Sequence, residues 1–360
     1  MSPSTPIRLV ALDLDGTLLD SQSQISPRTR QAIADAVGRG VIVLPCTGRP
    51  LASLPPLVAQ LPGIRYAITT NGAAVWDMGT DPLGAVYSRY ADAARRQTHQ
   101  PVRLLHRPMP PETAREAFAL YQEYHGPLSI FSDGCAYLDA PGMELFQARK
   151  NRHLSTEARQ PDDGRYHVVR DQPEWLSRHA HEVEKFCMFF DSAEIAQAAL
   201  PRFRALPGVE AVQGAPDNVE VTAQGVDKGT ALLALADMLG IPREATAAIG
   251  DSENDRAMLA RAGVAAVMAN ALPGSGHCGI SSAPATTTTT ALQSCLSGSG
   301  CDRWAFLCNV YKLLCKTLCL LSITKSGRVV YTNTVNVWWG ECAHPALPRP
   351  ECQIKRRNAL

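Results

Sequence analysis

Short apolar runs that alternate with helical patterns are the feature that most constrains the fold of this chain. The runs consist mainly of Val, Ile, Ala and Leu, and they lack the apolar–polar alternation of a half-exposed strand. Such runs are typical of parallel strands that are buried on both faces. They lie at Ile7–Leu12, Val41–Leu44, Tyr66–Thr69, Thr246–Ile249 and Val264–Val267.

Two helical patterns between these runs carry clear start and stop signals. Ser26 precedes Pro27 in "SPRTRQAIADAVGRG", and Asp227 precedes "KGTALLALADMLG", so Ser26 and Asp227 are candidate N-cap residues. Gly40 and Gly240 lie where the two patterns end. Strand–helix–strand alternation of this kind predicts a doubly wound, Rossmann-like parallel α/β sheet with right-handed connections.

The alternation breaks in the middle of the chain. Between about Ala85 and Thr222, strand and helix patterns follow one another in mixed order, which is typical of an α+β domain. We therefore predict a first part of the core at residues 1–84, an inserted α+β domain at 85–222, and a second part of the core at 223–270. No internal repeat is visible.

Residues 271–360 differ from the rest in charge, cysteine content and complexity. They hold 9 Lys/Arg, 3 Asp/Glu and eight of the 11 cysteines, whereas residues 1–270 hold 26 Lys/Arg and 31 Asp/Glu. We interpret residues 271–360 as an atypical low-complexity, Cys-rich basic tail of different origin, such as a shifted reading frame or an alternative transcript end. The first 270 residues are typical of a thiol-poor intracellular protein.

Several classes of protein are disfavoured by the sequence. The start "MSPSTPIRLVALDLDG" has no basic segment followed by a long apolar one, so we expect a cytoplasmic protein without a signal peptide. The first 270 residues contain no basic patch with interleaved aromatic residues, so nucleic-acid binding is not expected. Lys312 and Lys316 interrupt the apolar segment 304–324, so no membrane span is expected. No pattern predicts an oligomeric state.

Four short motifs lie where the core strands are expected to end. They are "DLDGT" (13–17), "CTGR" (46–49), "DKG" (227–229) and "GDSEND" (250–255). Ligands of open α/β sheets bind at the carboxyl ends of the strands, so we expect these motifs to form one site. The aspartates Asp13, Asp15 and Asp251 provide hard oxygen ligands of the kind that Mg²⁺ prefers.

The remaining residues of these motifs suit an anion. Thr47 and the amide of Gly48 can donate hydrogen bonds to a phosphate, and Asn254 can donate one without adding charge. Lys228 opens a helix, where its ammonium and the helix N-terminus favour the same anion. Each motif alone has an ordinary interpretation as a turn residue, a helix cap or a solvated lysine. The four together, in this order, favour phosphoryl chemistry.

The combination resembles the haloacid dehalogenase-like phosphatases, and in particular their Cof-type branch with a type IIB cap domain. The resemblance covers about Ile7 to Asn270. It implies that the α+β insertion is a cap over the core. It also implies that Asp13 is the nucleophile that forms an aspartyl-phosphate, and that Asp15 is the general acid and then the general base.

The resemblance further implies a Mg²⁺ cofactor and a set of phosphate contacts. The ion is expected on the carboxylates of Asp13 and Asp251 and on the backbone carbonyl of Asp15. Asp255 is expected to orient these ligands from outside, and Asn71 is either a substrate contact or only part of an Asn-Gly turn. The residues expected to hold the phosphoryl oxygens are Leu14 (amide), Thr47, Gly48, Lys228 and Asn254.

The function expected from these features is Mg²⁺-dependent hydrolysis of phosphate monoesters of small metabolites, with sugar phosphates as the substrate class. One alternative is phosphoryl transfer to a sugar, as in related mutases. Another is a catalytically impaired variant that acts as a binding protein through its basic tail. After "VMANA" the family supplies a further strand and a closing helix, and this sequence continues instead with "LPGSGHCGISSAPATTTTT".

Overall fold

The computed structural model describes residues 5–95, 99–152, 163–268, 270–271 and 284–285, which all lie in one compact unit. The strands are β1 (Leu9–Leu12), β2 (Ile42–Pro45), β3 (Tyr66–Thr69), β4 (Ala74–Asp77), β5 (Val102–His106), β6 (Leu128–Ser132), β7 (Cys135–Asp139), β8 (Tyr166–Val169), β9 (Val183–Phe189), β10 (Val209–Val212), β11 (Asn218–Ala223), β12 (Thr246–Gly250), β13 (Val264–Met268) and β14 (Pro284–Ala285). The α-helices are α1 (Pro27–Gly38), α2 (Pro56–Ala59), α3 (Pro82–Tyr87), α4 (Pro111–Tyr121), α5 (Ala140–Lys150), α6 (Gln172–His179), α7 (Ala193–Arg204), α8 (Lys228–Met238) and α9 (Arg256–Arg261).

The core is a five-stranded parallel sheet in the order β14-β13-β12-β1-β2. Its inner strand β1, between β12 and β2, is buried on both faces, as the apolar run predicts. Val10 and Leu12 join an apolar cluster with residues of α1, whereas Leu9 and Ala11 join a second cluster with residues of α8. Because alternate side chains enter two different apolar layers, the strand has no polar face. The doubly wound, Rossmann-like core is thus confirmed.

The two predicted N-caps are confirmed. The hydroxyl of Ser26 accepts the amide of Thr29 at 3.1 Å, and Pro27 follows as the first residue of α1. The carboxylate of Asp227 accepts the amide of Thr230 at 2.6 Å at the start of α8. These bonds satisfy amides that have no partner inside the helix and therefore define where both helices begin.

One predicted core strand lies elsewhere. Residues Tyr66–Thr69 form β3, which does not join the five-stranded sheet but pairs antiparallel with β4 in a three-stranded sheet β3-β4-β5. A single parallel bridge between Cys46 and Ile68 connects it to the end of β2. The Asn-Gly sequence lies in the turn between β3 and β4. Asn71 has φ 54° and ψ 29°, the left-handed conformation that Asn tolerates.

The middle of the chain contains a six-stranded mixed sheet in the order β10-β11-β9-β6-β7-β8. All neighbours pair antiparallel except β7 and β8, which are parallel. Residues of α4 and α7 pack on it in one apolar cluster that contains Tyr121, Phe186 and Phe203. This is the predicted α+β cap, and its limits at residues 85 and 222 stay a prediction.

The last described residues lie at one edge of the core sheet. Pro284 and Ala285 form β14, which pairs parallel with Val267 and Met268 of β13. This strand lies in the segment interpreted from its sequence only as a low-complexity tail. The rest of the tail, including the apolar segment 304–324, is outside the described residues. Within the described ranges, no helix is long and apolar enough to cross a membrane.

The N-cap residue of α1, Ser26, leads to a stability prediction. Ser26→Ala removes the acceptor for the amide of Thr29, and we expect it to lower the free energy of unfolding by about 1 kcal/mol. Chemical denaturation followed by circular dichroism measures this difference. The matched control is Ser177→Ala on the exposed side of α6, where the hydroxyl only donates to the carbonyl of Glu174. Equal stability of the Ser26 and Ser177 variants would contradict the prediction.

Candidate active site

A buried lysine joins the ends of three core elements. Lys228, the first residue of α8, donates from Nζ to Oδ1 of Asp13 and to Oδ1 of Asp255, both at 2.6 Å. Lys228 and Asp255 are fully buried and Asp13 is 5% exposed. An ammonium removed from water in this way requires opposite charges at hydrogen-bond distance. The contact brings together the carboxyl end of β1, the start of α8 and the loop that follows β12.

The carboxylates around this lysine carry more negative charge than it neutralises. Burial raises the pKa of Asp13 well above its ordinary value, the neighbouring Asp255 raises it further, and Lys228 opposes both. Burial and Asp255 also raise the pKa of Asp251 to about 6. Burial alone would lower the pKa of Lys228, but Asp13 and Asp255 reverse this, so the lysine stays charged. The cluster therefore favours an additional cation.

Hydrogen bonds fix the orientation of the Asp251 carboxylate. Its Oδ1 accepts from the hydroxyl of Thr17 and its Oδ2 accepts from Nδ2 of Asn270, each at 3.0 Å. Gly16 lies against the same carboxylate with φ +82°, and a Cβ there would come within 2.4 Å of Oδ2. Glycine is therefore required at this position for two reasons, the backbone conformation and the close approach.

The aspartates fit a divalent cation. One carboxylate oxygen from each of Asp13, Asp251 and Asp255 lies within 4.8 Å of the other two. Oδ2 of Asp255 also accepts the amides of Asp251 and Ser252, both at 3.0 Å, and its Oδ1 accepts from Lys228. Because its oxygens already accept these hydrogen bonds, Asp255 is suited to orient Asp251 rather than to complete a coordination shell.

Asp15 has a partner that the sequence did not reveal. Arg49 donates from Nε to Oδ2 at 2.8 Å and from Nη2 to Oδ1 at 2.6 Å, a two-bond pairing of guanidinium and carboxylate. Burial alone would raise the pKa of Asp15, but the hydrogen bonds and charge of Arg49 outweigh it and hold the pKa below its usual range. Arg49 lies in the loop that follows β2, the neighbour of β1, and this position is the signal that could have predicted the contact.

The candidate phosphate contacts lie together around the ends of β1 and β2. Thr47 is buried, and its hydroxyl oxygen accepts the amide of Arg49 at 3.1 Å, so its hydrogen can be donated elsewhere. A Cβ on Gly48 would come within 2.8 Å of Oδ1 of Asn71, and that oxygen accepts from Nδ2 of Asn254 at 3.3 Å. Leu14, which follows the Asp13 nucleophile candidate, is fully buried.

The position of the "DKG" motif in the fold differs from the one that the sequence predicted. It follows β11 of the cap sheet, not a core strand, and lies at the start of α8. A Cβ on Gly229 would come within 2.3 Å of the carbonyl oxygen of Ala257, so α8 and α9 approach closely only with glycine there. The ammonium of Lys228 donates to Asp13 and Asp255.

A comparison with known protein families shows which family has this arrangement. A model of the haloacid dehalogenase-like hydrolases matches residues 10–92 and 96–275 of the chain, which include every motif described above. The chain belongs to the haloacid dehalogenase-like hydrolases. The predicted resemblance is thereby confirmed, and family membership makes this protein a hydrolase.

Curated relatives of this haloacid dehalogenase-like hydrolase are phosphatases. The chain is 27% identical over 269 residues to 5-amino-6-(5-phospho-D-ribitylamino)uracil phosphatase of Bacillus subtilis, covering 74% of this chain and 85% of that protein. It is 28% identical over 268 residues to the HMP-PP phosphatase of Cronobacter sakazakii, with the same two coverages.

Solved structures share the fold of this haloacid dehalogenase-like hydrolase. A haloacid dehalogenase-like hydrolase from B. subtilis aligns with a TM-score of 0.62 at 24% identity, covering 80% of this chain and 99% of that one. The subclass IIB sugar phosphatase BT4131 aligns with a TM-score of 0.57 at 20% identity, covering 74% and 90%. These likenesses establish the core with its inserted cap.

The metal site can be tested by binding alone. We expect Asp251→Asn to weaken the affinity for Mg²⁺ or Mn²⁺ by at least about tenfold, because it removes one charge from the carboxylate cluster. Isothermal titration calorimetry with Mn²⁺ measures this change. Asp35→Asn on the exposed side of α1, where the carboxylate accepts from Gln31, is the matched control. Unchanged Mn²⁺ affinity in the Asp251 variant would contradict the assignment.

The buried lysine predicts a large effect on stability. Lys228→Met leaves the carboxylates of Asp13 and Asp255 without their cation, and we expect a loss of about 3–5 kcal/mol in the free energy of unfolding. Denaturant unfolding in metal-free buffer measures it, with Lys150→Met at the exposed end of α5 as the control. A loss no larger than that of the control would show that the ammonium does not hold these elements together.

Proposed function

We propose that this protein is a Mg²⁺-dependent phosphatase that hydrolyses phosphate monoesters of small metabolites, sugar phosphates in particular, through an aspartyl-phosphate on Asp13. The observation that carries the proposal is the cluster in which Lys228 holds Asp13 and Asp255 beside Asp251. The cluster combines a fixed carboxylate with oxygen ligands for a cation, and phosphoryl transfer requires both a positioned nucleophile and neutralisation of charge.

The metal would be held by the carboxylates of Asp13 and Asp251 and by the backbone carbonyl of Asp15. When bound, Mg²⁺ neutralises charge on the phosphoryl oxygens and so permits an anionic nucleophile to approach an anionic substrate. Asp255 accepts the amide of Asp251 and thereby positions that ligand. Thr17 and Asn270 hold the Asp251 carboxylate from the other side.

In the first step, a carboxylate oxygen of Asp13 forms a bond to phosphorus while the bond from phosphorus to the ester oxygen breaks. Lys228 holds Oδ1 of Asp13 and so limits rotation of the carboxylate. Asp15 donates a proton to the departing ester oxygen. In the second step, Asp15 accepts a proton from water, the oxygen of that water attacks phosphorus, and the bond to Asp13 breaks, which restores the enzyme.

Arg49 constrains the role of Asp15 in these steps. The pairing with Arg49 favours the ionised carboxylate, which is the form that accepts a proton from water. Proton donation in the first step requires Asp15 to be protonated, and therefore to leave Arg49. We infer that substrate binding separates the two side chains, with the phosphate as an alternative partner for the guanidinium.

The phosphoryl oxygens would be bound by groups that converge on the ends of β1, β2 and β12. Donors of three kinds are available: backbone amides, uncharged side chains and the Lys228 ammonium. Hydrogen bonds to these oxygens stabilise the charge that spreads over them in the transition state. The proposed set is Leu14 (amide), Thr47, Gly48 (amide), Lys228 and Asn254, with Asn71 next to them.

The substrate class is supported by the relatives. The B. subtilis and C. sakazakii proteins are named for small phosphorylated compounds, and BT4131 is named as a sugar phosphatase. No observation on the described residues favours phosphoryl transfer to a sugar, and the alternative of binding through the tail involves residues outside them. The cytoplasmic location is part of this proposal, and Cys46, Cys135 and Cys187 are buried free thiols.

The proposed activity is tested with p-nitrophenyl phosphate. We expect the full-length protein to release p-nitrophenol with Mg²⁺ and to lose this activity in EDTA. Asp13→Asn should reduce kcat by at least about 1,000-fold, because the amide is a poor nucleophile. Asp35→Asn serves again as the control with unchanged kcat. Full activity of the Asp13 variant, or an inactive folded wild type with Mg²⁺, would overturn the proposal.

A further inference from the structure

A buried ion pair lies where the cap sheet meets the core, and the mechanism above does not use it. Lys185 on β9 and Glu220 on β11 approach to 3.2 Å between Nζ and Oε1, with side chains 1% and 9% exposed. Removal of two charges from water is costly unless both have further partners. The partners of this pair therefore indicate what it does.

The ammonium of Lys185 is surrounded by groups of the protein. It donates to the backbone carbonyl of Gly48 in the "CTGR" loop, and it lies 4.5 Å from the ring centroid of Phe131. Glu220 is the third neighbour. These three groups match the three N–H donors of an ammonium. Lys185 thus connects the cap to the loop that carries Thr47 and Gly48.

The other partner connects the cap to a second loop of the core. Oε2 of Glu220 accepts from Nδ2 of Asn71 at 2.6 Å, and Oδ1 of Asn71 accepts from Nδ2 of Asn254 at 3.3 Å. Oε1 of Glu220 also accepts from Nδ2 of Asn218 at 3.4 Å. Asn71 has positive φ, a conformation that persists when its surroundings hold it.

Both chains of contacts end on proposed phosphate contacts. One runs from Lys185 to Gly48, and the other runs from Glu220 through Asn71 to Asn254. We propose that Lys185 and Glu220 are positioning residues, which hold the "CTGR" loop and the Asn254 side chain from the cap so that both can bind the phosphoryl group. This inference rests on the proposed function, since it takes Gly48 and Asn254 as phosphate contacts.

Positioning differs from direct contact with the substrate in a measurable way. Lys185 and Glu220 both already have protein partners, and each has one partner in a core loop next to the proposed phosphate contacts, Gly48 for Lys185 and Asn71 for Glu220. Their loss therefore affects contacts to the phosphoryl group, which all the esters share, and weakens the binding of every phosphate ester by a similar factor. A residue that contacts the rest of the substrate instead affects only esters that carry the matching group.

The test compares Lys185→Met, Glu220→Gln and the double variant with wild type. The inhibition constant of inorganic phosphate is measured with Mg²⁺, together with KM and kcat for p-nitrophenyl phosphate and glucose 6-phosphate. We expect phosphate to bind about tenfold more weakly in all three variants, because small displacements of positioned groups are costly. KM should rise by a similar factor for both esters. Because the residues act as a unit, the double variant should lose no more than the worse single variant.

The control is an ion pair on the same domain that does not reach the core. Arg202 of α7 donates to Glu123 at 2.7 Å on the exposed side of the cap. Arg202→Gln should leave the phosphate affinity and both KM values unchanged. If a single variant does not fold, the double variant carries the test, because it removes both charges and leaves none unpaired.

The outcomes separate this inference from the proposed function. Unchanged phosphate affinity in folded variants, or a loss confined to one of the two esters, would overturn the positioning role. A wild type that hydrolyses neither ester would overturn the proposed function. If the wild type hydrolyses neither ester, isothermal titration calorimetry of phosphate binding to the same proteins still tests the positioning role. A wild type that does not bind phosphate would overturn the positioning role as well.

Discussion

The rest of the site depends on one buried ammonium. Lys228 lies out of water because Asp13 and Asp255 each accept a hydrogen bond from it, and these carboxylates come from distant parts of the sequence. The charge cannot be buried before β1, α8 and the loop after β12 have assembled, and the two carboxylates cannot lie so close without it. Folding of the core and formation of the site are therefore one event.

The same contact explains why a cation is expected. One lysine among Asp13, Asp251 and Asp255 leaves an excess of negative charge, and burial makes this excess costly. Small residues permit the crowding, since a side chain at Gly16 would collide with the Asp251 carboxylate. The core thus maintains an electrostatic imbalance that a divalent ion can relieve, at the place proposed for the phosphate ester.

The cap contributes polar contacts as well as a cover. Arg204 of α7 donates to Glu253 at 2.6 Å, and Glu184 of β9 accepts from the hydroxyl of Thr70 at 3.3 Å. Together with the Lys185–Glu220 pair, these contacts connect strands and a helix of the cap to the loops after β2, β3 and β12. Arg49, by contrast, joins two loops of the core and lowers the pKa of Asp15. The cap and the loops that carry the proposed phosphate contacts are therefore physically connected.

The sequence by itself determined the features that depend on neighbouring residues. The apolar run of β1 predicted a strand buried on both faces, Ser26 and Asp227 predicted two helix starts, and four motifs predicted one site. Tertiary structure alone decided the rest: β3 leaves the core sheet, "DKG" follows a cap strand, and Lys185, Glu220 and Arg49 find partners on distant elements. Periodicity and capping are local and leave a pattern in the sequence. The pairing of Lys185 with Glu220 leaves none, because it depends on how the whole chain folds.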